Sequence, residues 1–224
     1  MNDNLTDISI VLDRSGSMST VRSDTIGGFN TFLAEQKRED GDVTLTLAQF
    51  DTDYEIVHPG IPLNDVPELT DETFVPRGMT ALLDALGRTI NETGARLSAM
   101  PEEQRPGRVI FVIITDGKEN SSREFTKNVI NSMIAHQSEV YDWDFVFIGA
   151  NQDAIKSGAR MGIVADNCLA FDHNAKGTRE MFAEMSCSMS EFRKKRPRDK
   201  EAFFKKRRCS GSRPQDKINK RGLL

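Results

Sequence analysis

Short apolar runs alternate with longer segments of helical periodicity along most of the chain. The runs at 7–12, 43–50, 109–115 and 143–148 are each bounded by polar or glycine-containing loops, as is typical of strands buried in a parallel sheet. Between them, apolar residues recur every three or four positions, as expected for helices with one buried face. The alternation predicts an α/β fold with a doubly wound, mostly parallel central sheet and helices on both faces.

Two further strands and five helices complete this prediction. A tight turn at 51–53 predicts an antiparallel return strand at 54–58, which would lie at one edge of the sheet. The proline-containing stretch 59–76 predicts irregular surface chain. We place the last strand at 162–170 and the helices near 21–36, 81–99, 125–134, 150–161 and 176–192.

The charge distribution divides the chain at residue 192. Residues 193–224 contain 14 Lys or Arg and 3 Asp or Glu, whereas residues 1–192 contain 16 and 31, so that the net charge of −4 hides a basic tail on an acidic body. We therefore predict an α/β domain over 1–192 and a basic C-terminal extension over 193–224. A solvated or disordered extension is one interpretation of the tail, and docking onto the acidic body is another.

Composition excludes several classes of protein. No apolar run approaches 18 residues, which argues against a transmembrane helix, and the polar N-terminus lacks the pattern of a signal peptide. Three widely spaced cysteines without a CxxC motif argue against a disulfide scaffold and a zinc cluster. These features together predict a cytoplasmic protein in a reducing compartment.

Oxygen-bearing side chains follow two of the predicted strands and precede one helix. Asp13, Ser15 and Ser17 alternate along the loop after the first strand, Thr80 precedes a helix, and Asp116 ends the most apolar strand. Because the carboxyl ends of parallel strands meet at one edge of the sheet, a working site is expected there. Turn and helix-cap chemistry is the alternative interpretation of each residue taken alone.

A set of two carboxylates and three hydroxyls suits a hard divalent cation. Such oxygen donors favour Mg²⁺, with Mn²⁺ and Ca²⁺ fitting the same chemistry, and they suit zinc or copper poorly. Because the set has no third carboxylate, a coordination position facing solvent would favour an anionic ligand.

The motifs Asp13-Arg14-Ser15-Gly16-Ser17, Gly78-Met79-Thr80 and Thr115-Asp116-Gly117 occur in an order that resembles the metal-ion-dependent adhesion site (MIDAS) of von Willebrand factor A (vWA) domains. The resemblance covers about residues 5–192. Within the family, the chain is more similar to the intracellular or microbial branch than to the large extracellular members. It implies a Rossmann-like α/β domain that binds Mg²⁺ through Asp13, Ser15, Ser17, Thr80 and Asp116.

The resemblance also implies a function. Most members of this family bind proteins without catalysing a reaction, and an Asp or Glu of the partner commonly completes the metal coordination. The expected function is therefore a Mg²⁺-dependent protein-binding module and not an enzyme. Residues beside the metal loops would form the rim that contacts the partner: Arg14, Met18, Gly78, Met79, Lys118 and Glu119.

Two alternative functions stay open at this stage. The first is a nucleic-acid-associated adaptor, or one bound to another anionic surface, acting through the basic residues Arg193, Lys194, Lys195, Arg196, Lys205, Lys206, Arg207 and Arg208. The second is a Mg²⁺-dependent phosphotransferase or hydrolase, which would resemble the haloacid-dehalogenase type; that type needs a second aspartate two residues after the first, where this chain has Ser15. The three histidines, His58, His136 and His173, share no ligand spacing and are expected to be ordinary surface or core residues.

Overall fold

A computed structural model describes residues 1–150, 154–195 and 202–204. Its six strands form one sheet in the order β3-β2-β1-β4-β5-β6, in which only the edge strand β3 is antiparallel to its neighbour. The strands are β1 (Asn2–Asp13), β2 (Asp42–Phe50), β3 (Tyr54–Pro62), β4 (Pro106–Thr115), β5 (Asp144–Ala150) and β6 (Cys168–Phe171). The predicted α/β, doubly wound fold is confirmed.

Five helices cover the two faces of the sheet. They are α1 (Arg22–Gln36), α2 (Leu82–Ser98), α3 (Lys127–Val140), α4 (Ala154–Arg160) and α5 (Ala175–Arg193). Apolar residues of α1 and α5 pack on one face, and those of α2 and α3 pack on the other. The central strand β4 supplies both cores, because Ile110, Val112 and Ile114 face the first and alternate residues face the second.

Several predicted boundaries differ from the structure, and three of the differences have a clear physical reason. β1 begins at Asn2 rather than residue 7, because its polar first residues pair with the start of β4. The last strand starts at Cys168, since 162–167 first make a turn at Gly162 (φ +86°) and a short 3-10 helix. The segment 59–76 is not all surface chain: β3 extends to Pro62, and the side chains of Leu63, Val66, Leu69 and Phe74 are buried.

Of the cysteines in the described residues, Cys168 is buried and free, whereas Cys187 on α5 is disulfide-bonded. The sparse cysteine pattern did not predict this bond. In the described part of the chain, no helix is both long enough and apolar enough to cross a membrane.

Candidate functional site

Asp13 is the last residue of β1 and lies fully buried beside the end of β4. Its Oδ1 accepts a hydrogen bond from Ser15 N (2.7 Å), and its Oδ2 accepts one from Thr115 Oγ1 (2.6 Å). The bond to Ser15 N closes a tight turn, which brings the hydroxyls of Ser15 and Ser17 to 3.1 Å from each other. The alternation in the motif therefore places both serine hydroxyls together.

Asp116 joins this group from β4. Ser17 Oγ donates to Asp116 Oδ1 over 2.8 Å, although the two residues are 99 positions apart in the chain. The Asp116 side chain is only 1% exposed, and its Oδ2 has no hydrogen-bond partner among the described residues. A buried carboxylate oxygen without a hydrogen bond is costly, so this atom is suited to a positively charged neighbour, a position that a metal ion would share with His173 Nε2 at 2.9 Å.

Thr80 completes the group from the start of α2. A Cβ atom added to Gly117 would lie 2.8 Å from Thr80 Oγ1 and 3.6 Å from Asp13 Oδ2, so both oxygens border the same small space. A side chain at position 117 would fill that space, which gives a physical reason for glycine after Asp116. The structure thus brings Asp13, Ser15, Ser17, Thr80 and Asp116 together at the carboxyl edge of the sheet.

The two carboxylates lie in surroundings that oppose their negative charge. Burial raises the pKa of Asp13 to about 6, more than the hydrogen bonds from Thr115 and Ser15 lower it, and the nearby Asp116 charge raises it further. Burial also raises the pKa of Asp116, against the lowering effects of Ser17 and His173. A divalent cation would reverse this balance by stabilising both ionised forms.

The donor set and its spacing fit Mg²⁺. Neighbouring ligands of an octahedral ion with bonds of about 2.1 Å lie about 3 Å apart. The separations of 3.1 Å (Ser15 Oγ to Ser17 Oγ) and 2.8 Å (Ser17 Oγ to Asp116 Oδ1) match this value. Within the described residues no group of three or more His, Cys, Asp or Glu side chains could hold a metal ion, so a site here relies on hydroxyls.

Asp51, at the end of β2, holds the two outer loops together. Its buried carboxylate accepts hydrogen bonds from Arg14 Nε (2.9 Å) and Arg77 Nε (3.0 Å), which belong to different loops. The sequence suggested only a hairpin role for Asp51. Gly78 has φ +66°, and a Cβ there would lie 2.8 Å from Thr52 Oγ1. The close approach of these two loops therefore requires glycine at position 78.

Asn120 fixes the position of Thr80 from the loop after β4. Its side-chain Oδ1 accepts from Thr80 N (2.9 Å), and its own backbone N donates to Thr80 O (3.1 Å). Thr80 does not cap α2. That helix is capped instead by Glu119 Oε2, which accepts from Leu83 N, and by Ser122 Oγ, which accepts from Asp84 N. The Thr80 hydroxyl is therefore not used as a helix cap, and it borders the oxygen cluster beside Gly117.

The six predicted rim residues fall into two groups. Gly78, Met79 and Lys118 are exposed beside the cluster, as a partner-contacting rim requires. Arg14 and Met18 are buried, Arg14 in ion pairs with Asp51 and Glu55, and Met18 in the hydrophobic core. Glu119 uses both carboxylate oxygens to hold its own loop and α2. These three residues support the loops from inside rather than lining a contact surface.

His173 lies at the cluster although no sequence spacing indicated it. It is on the loop between β6 and α5, and its Nε2 is 2.9 Å from Asp116 Oδ2. The two atoms are within ion-pair distance, but their geometry does not make a hydrogen bond. The signal that could have found His173 was its place just after the last predicted strand, at the same sheet edge as Asp13 and Asp116.

Three of the basic residues assigned to the tail contact the body. Arg193, the last residue of α5, donates to the backbone oxygens of Gln36, Asp40 and Gly41. Lys194 pairs with Glu39 at 2.7 Å, and Lys195 lies over the Phe192 ring. The other predicted nucleic-acid residues, Arg196, Lys205, Lys206, Arg207 and Arg208, lie outside the described residues.

The sheet order, the antiparallel edge strand and the covering helices together define a doubly wound, mostly parallel α/β fold. No protein-family model and no curated protein matches the chain.

Solved structures that are similar to it include a mussel protein, a streptococcal pilin and a von Willebrand factor type A protein. Proximal thread matrix protein 1 from the mussel byssus aligns at 15% identity and TM-score 0.58, over 81% of this chain and 47% of that one. A D319A mutant of the PilB minor pilin from Streptococcus sanguinis aligns at 12% identity and TM-score 0.56, over 86% of this chain and 62% of that one. A von Willebrand factor type A protein from Catenulispora acidiphila aligns at 18% identity and TM-score 0.49, over 84% and 43%. The chain thus spans about half the length of these structures, and identities this low show the fold alone.

Proposed function

We propose that the chain is a Mg²⁺-dependent protein-binding module with a metal-ion-dependent adhesion site. Asp13, Ser15, Ser17, Thr80 and Asp116 would hold the ion, and a carboxylate of a partner protein would complete its coordination. The bound metal would supply positive charge for that carboxylate. The observation that carries the proposal is the hydrogen bond between Ser17 Oγ and Asp116 Oδ1, which joins two distant motifs in one oxygen cluster.

The exposure of the surrounding residues supports binding of a macromolecule. Met79 is 51% exposed beside the buried Thr80, and Val75 is 43% exposed on the same loop. Exposed apolar side chains next to a charged site are common at protein interfaces. We propose that this rim contacts the partner and that the site carries out no reaction of its own.

The cytoplasmic location is also part of the proposal, and one structural observation argues against it. A disulfide at Cys187 is unusual in a strongly reducing compartment. Counting free thiols on protein extracted from its native cells under alkylating conditions tests the location. Full alkylation of Cys187 supports the cytoplasm, and a protected Cys187 contradicts it.

Thr80→Ala tests the metal site with Thr126→Ala as its control. Thr126 caps α3 by accepting a hydrogen bond from Val129 N and is not one of the five residues of the oxygen cluster, so its loss should lower stability and leave metal binding unchanged. We expect Thr80→Ala to weaken Mg²⁺ binding measured by calorimetry, and Thr126→Ala to leave it unchanged while lowering the melting temperature. Equal Mg²⁺ affinity in Thr80→Ala and the unmodified protein would place the metal elsewhere.

A further inference from the structure

A pocket of about 630 Å³ opens directly from the oxygen cluster. It lies between the carboxyl ends of β4 and β5, the first turn of α2, and α4. Thr115, Asp116 and Gly117 form its border with the cluster, and Phe147 and Met161 are among its apolar lining residues. The pocket therefore borders the oxygen cluster on the side of Asp116.

Four cationic side chains line this pocket. Lys118 follows Asp116, Lys127 is the first residue of α3, and Lys156 and Arg160 lie one turn apart on α4. All four are exposed residues. In the part of the chain that the structure describes, no ion pair neutralises Lys118, Lys127 or Arg160.

The charge of this pocket contrasts with that of the body around it. Residues 1–192 contain 16 Lys or Arg against 31 Asp or Glu, yet the pocket gathers four cations with two acids, Asp116 and Glu119. Of these acids, Asp116 belongs to the oxygen cluster, and Glu119 accepts hydrogen bonds from backbone N–H groups and Ser122, which hold its carboxylate in place without neutralising it. Without Lys156, the three cations Lys118, Lys127 and Arg160 still outnumber the two acids, so the described lining carries a net positive charge.

The position of Lys127 adds an independent observation. A cation at the first residue of a helix is unfavourable, since the N-terminus already carries partial positive charge. The first turn of α3 has no acidic residue to offset it. The arrangement is suited to an anion that arrives with a ligand, which would be attracted by Lys127 and by Arg160 across the same pocket.

We infer that the partner is an acidic protein segment, in which one carboxylate reaches the metal site and the acidic residues next to it enter the basic pocket. This inference rests on the proposed function and names the chemistry of its partner. The apolar lining would accommodate the methylene groups of glutamate side chains. Specificity would then come from the number of adjacent acids, because a single carboxylate could reach only the metal.

The probes are two synthetic peptides of equal length. One is a run of glutamates, and in the other only the first residue is glutamate and the rest are glutamine. We expect the unmodified protein in Mg²⁺ to bind the first more tightly, and Lys127→Gln with Arg160→Gln to reduce that preference roughly five- to tenfold. Arg38→Gln with Lys194→Gln, which removes two charges at the opposite end of the sheet, is the matched control and should keep the preference.

The outcomes separate this inference from the proposed function. A preference that persists in Lys127→Gln with Arg160→Gln overturns the inference that the basic pocket binds acidic residues, even if both peptides still need Mg²⁺. A preference that disappears in this variant, with binding that survives metal removal, supports the pocket and contradicts the metal proposal. Metal is removed on a chelating resin, because EDTA is itself a polyanion. Competition by inorganic phosphate as effective as by the glutamate peptide would make the pocket a small-anion site and overturn the inference.

Discussion

At the scale of the residue, Asp13 connects stability to metal binding. Its pKa of about 6 lies above the ordinary 3.8, so without metal the folded state holds the proton more tightly than the unfolded state. The metal-free protein should therefore lose about 2 kcal/mol of stability as the pH rises from about 4 to above 6. Asp13→Asn keeps an acceptor for Ser15 N but carries no charge, so at about pH 7.5 the metal-free variant should melt at or above the unmodified protein.

Added Mg²⁺ should then reverse that order, because only the unmodified protein gains stability from binding. Melting scans at several pH values, with and without Mg²⁺, measure both effects. If metal-free Asp13→Asn is much less stable at about pH 7.5, the Asp13 charge is part of the structural support. If it gains as much from Mg²⁺ as the unmodified protein, Asp13 is not a ligand.

At the scale of the element, Arg96 on α2 ties that helix to the central strand. Its Nη2 donates to both carboxylate oxygens of Asp7, which is fully buried in β1, at 3.0 and 2.9 Å. Removing the cation would leave a buried charge unpaired, so Arg96→Met should lower the free energy of unfolding by about 3 kcal/mol in denaturant titrations.

Arg88 on the same helix provides the comparison. It pairs with Glu124, but both side chains are largely exposed, so solvent screens the interaction. Arg88→Met should therefore change stability little. Equal losses of stability in the two variants would mean that the burial of Asp7 does not raise the cost of losing its ion pair.

At the scale of the whole molecule, Phe203 joins the segment after α5 to the domain. Its ring lies 5.3 Å from that of Phe192, its side chain is 2% exposed, and its backbone N donates to Asn167 Oδ1. Phe203→Ala would leave a cavity against Phe192, and such changes cost about 3–5 kcal/mol in well-packed cores. A thermal melt should show a clear decrease, whereas Tyr141→Ala, at a residue 57% exposed, should not.

Equal melting temperatures in Phe203→Ala and Tyr141→Ala would show that this segment adds no packing energy. In that case the basic tail would extend from the body as a separate unit. A clear decrease instead supports the docking interpretation, in which residues beyond 192 belong partly to the core.

The sequence alone determined the α/β class and the oxygen cluster. Apolar runs long enough for one strand, separated by helical periodicity, leave few arrangements other than a parallel sheet, and parallel strands bring their carboxyl ends to one edge. For that reason Asp13, Ser15, Ser17, Thr80 and Asp116 could be grouped before any coordinates, as Ser17 and Asp116 show by their direct hydrogen bond. These signals are local, since each depends on residues within a few positions.

The tertiary structure alone decided which neighbours support or surround that cluster. Arg14 was expected at the rim, but it is buried because Asp51 lies beneath the same loop. His173 was expected to be ordinary, but the turn after β6 brings it within 2.9 Å of Asp116. Lys118, Lys127, Lys156 and Arg160 share one pocket although they come from three segments. Contacts of this kind depend on how whole elements pack, and neither periodicity nor spacing along the chain records that packing.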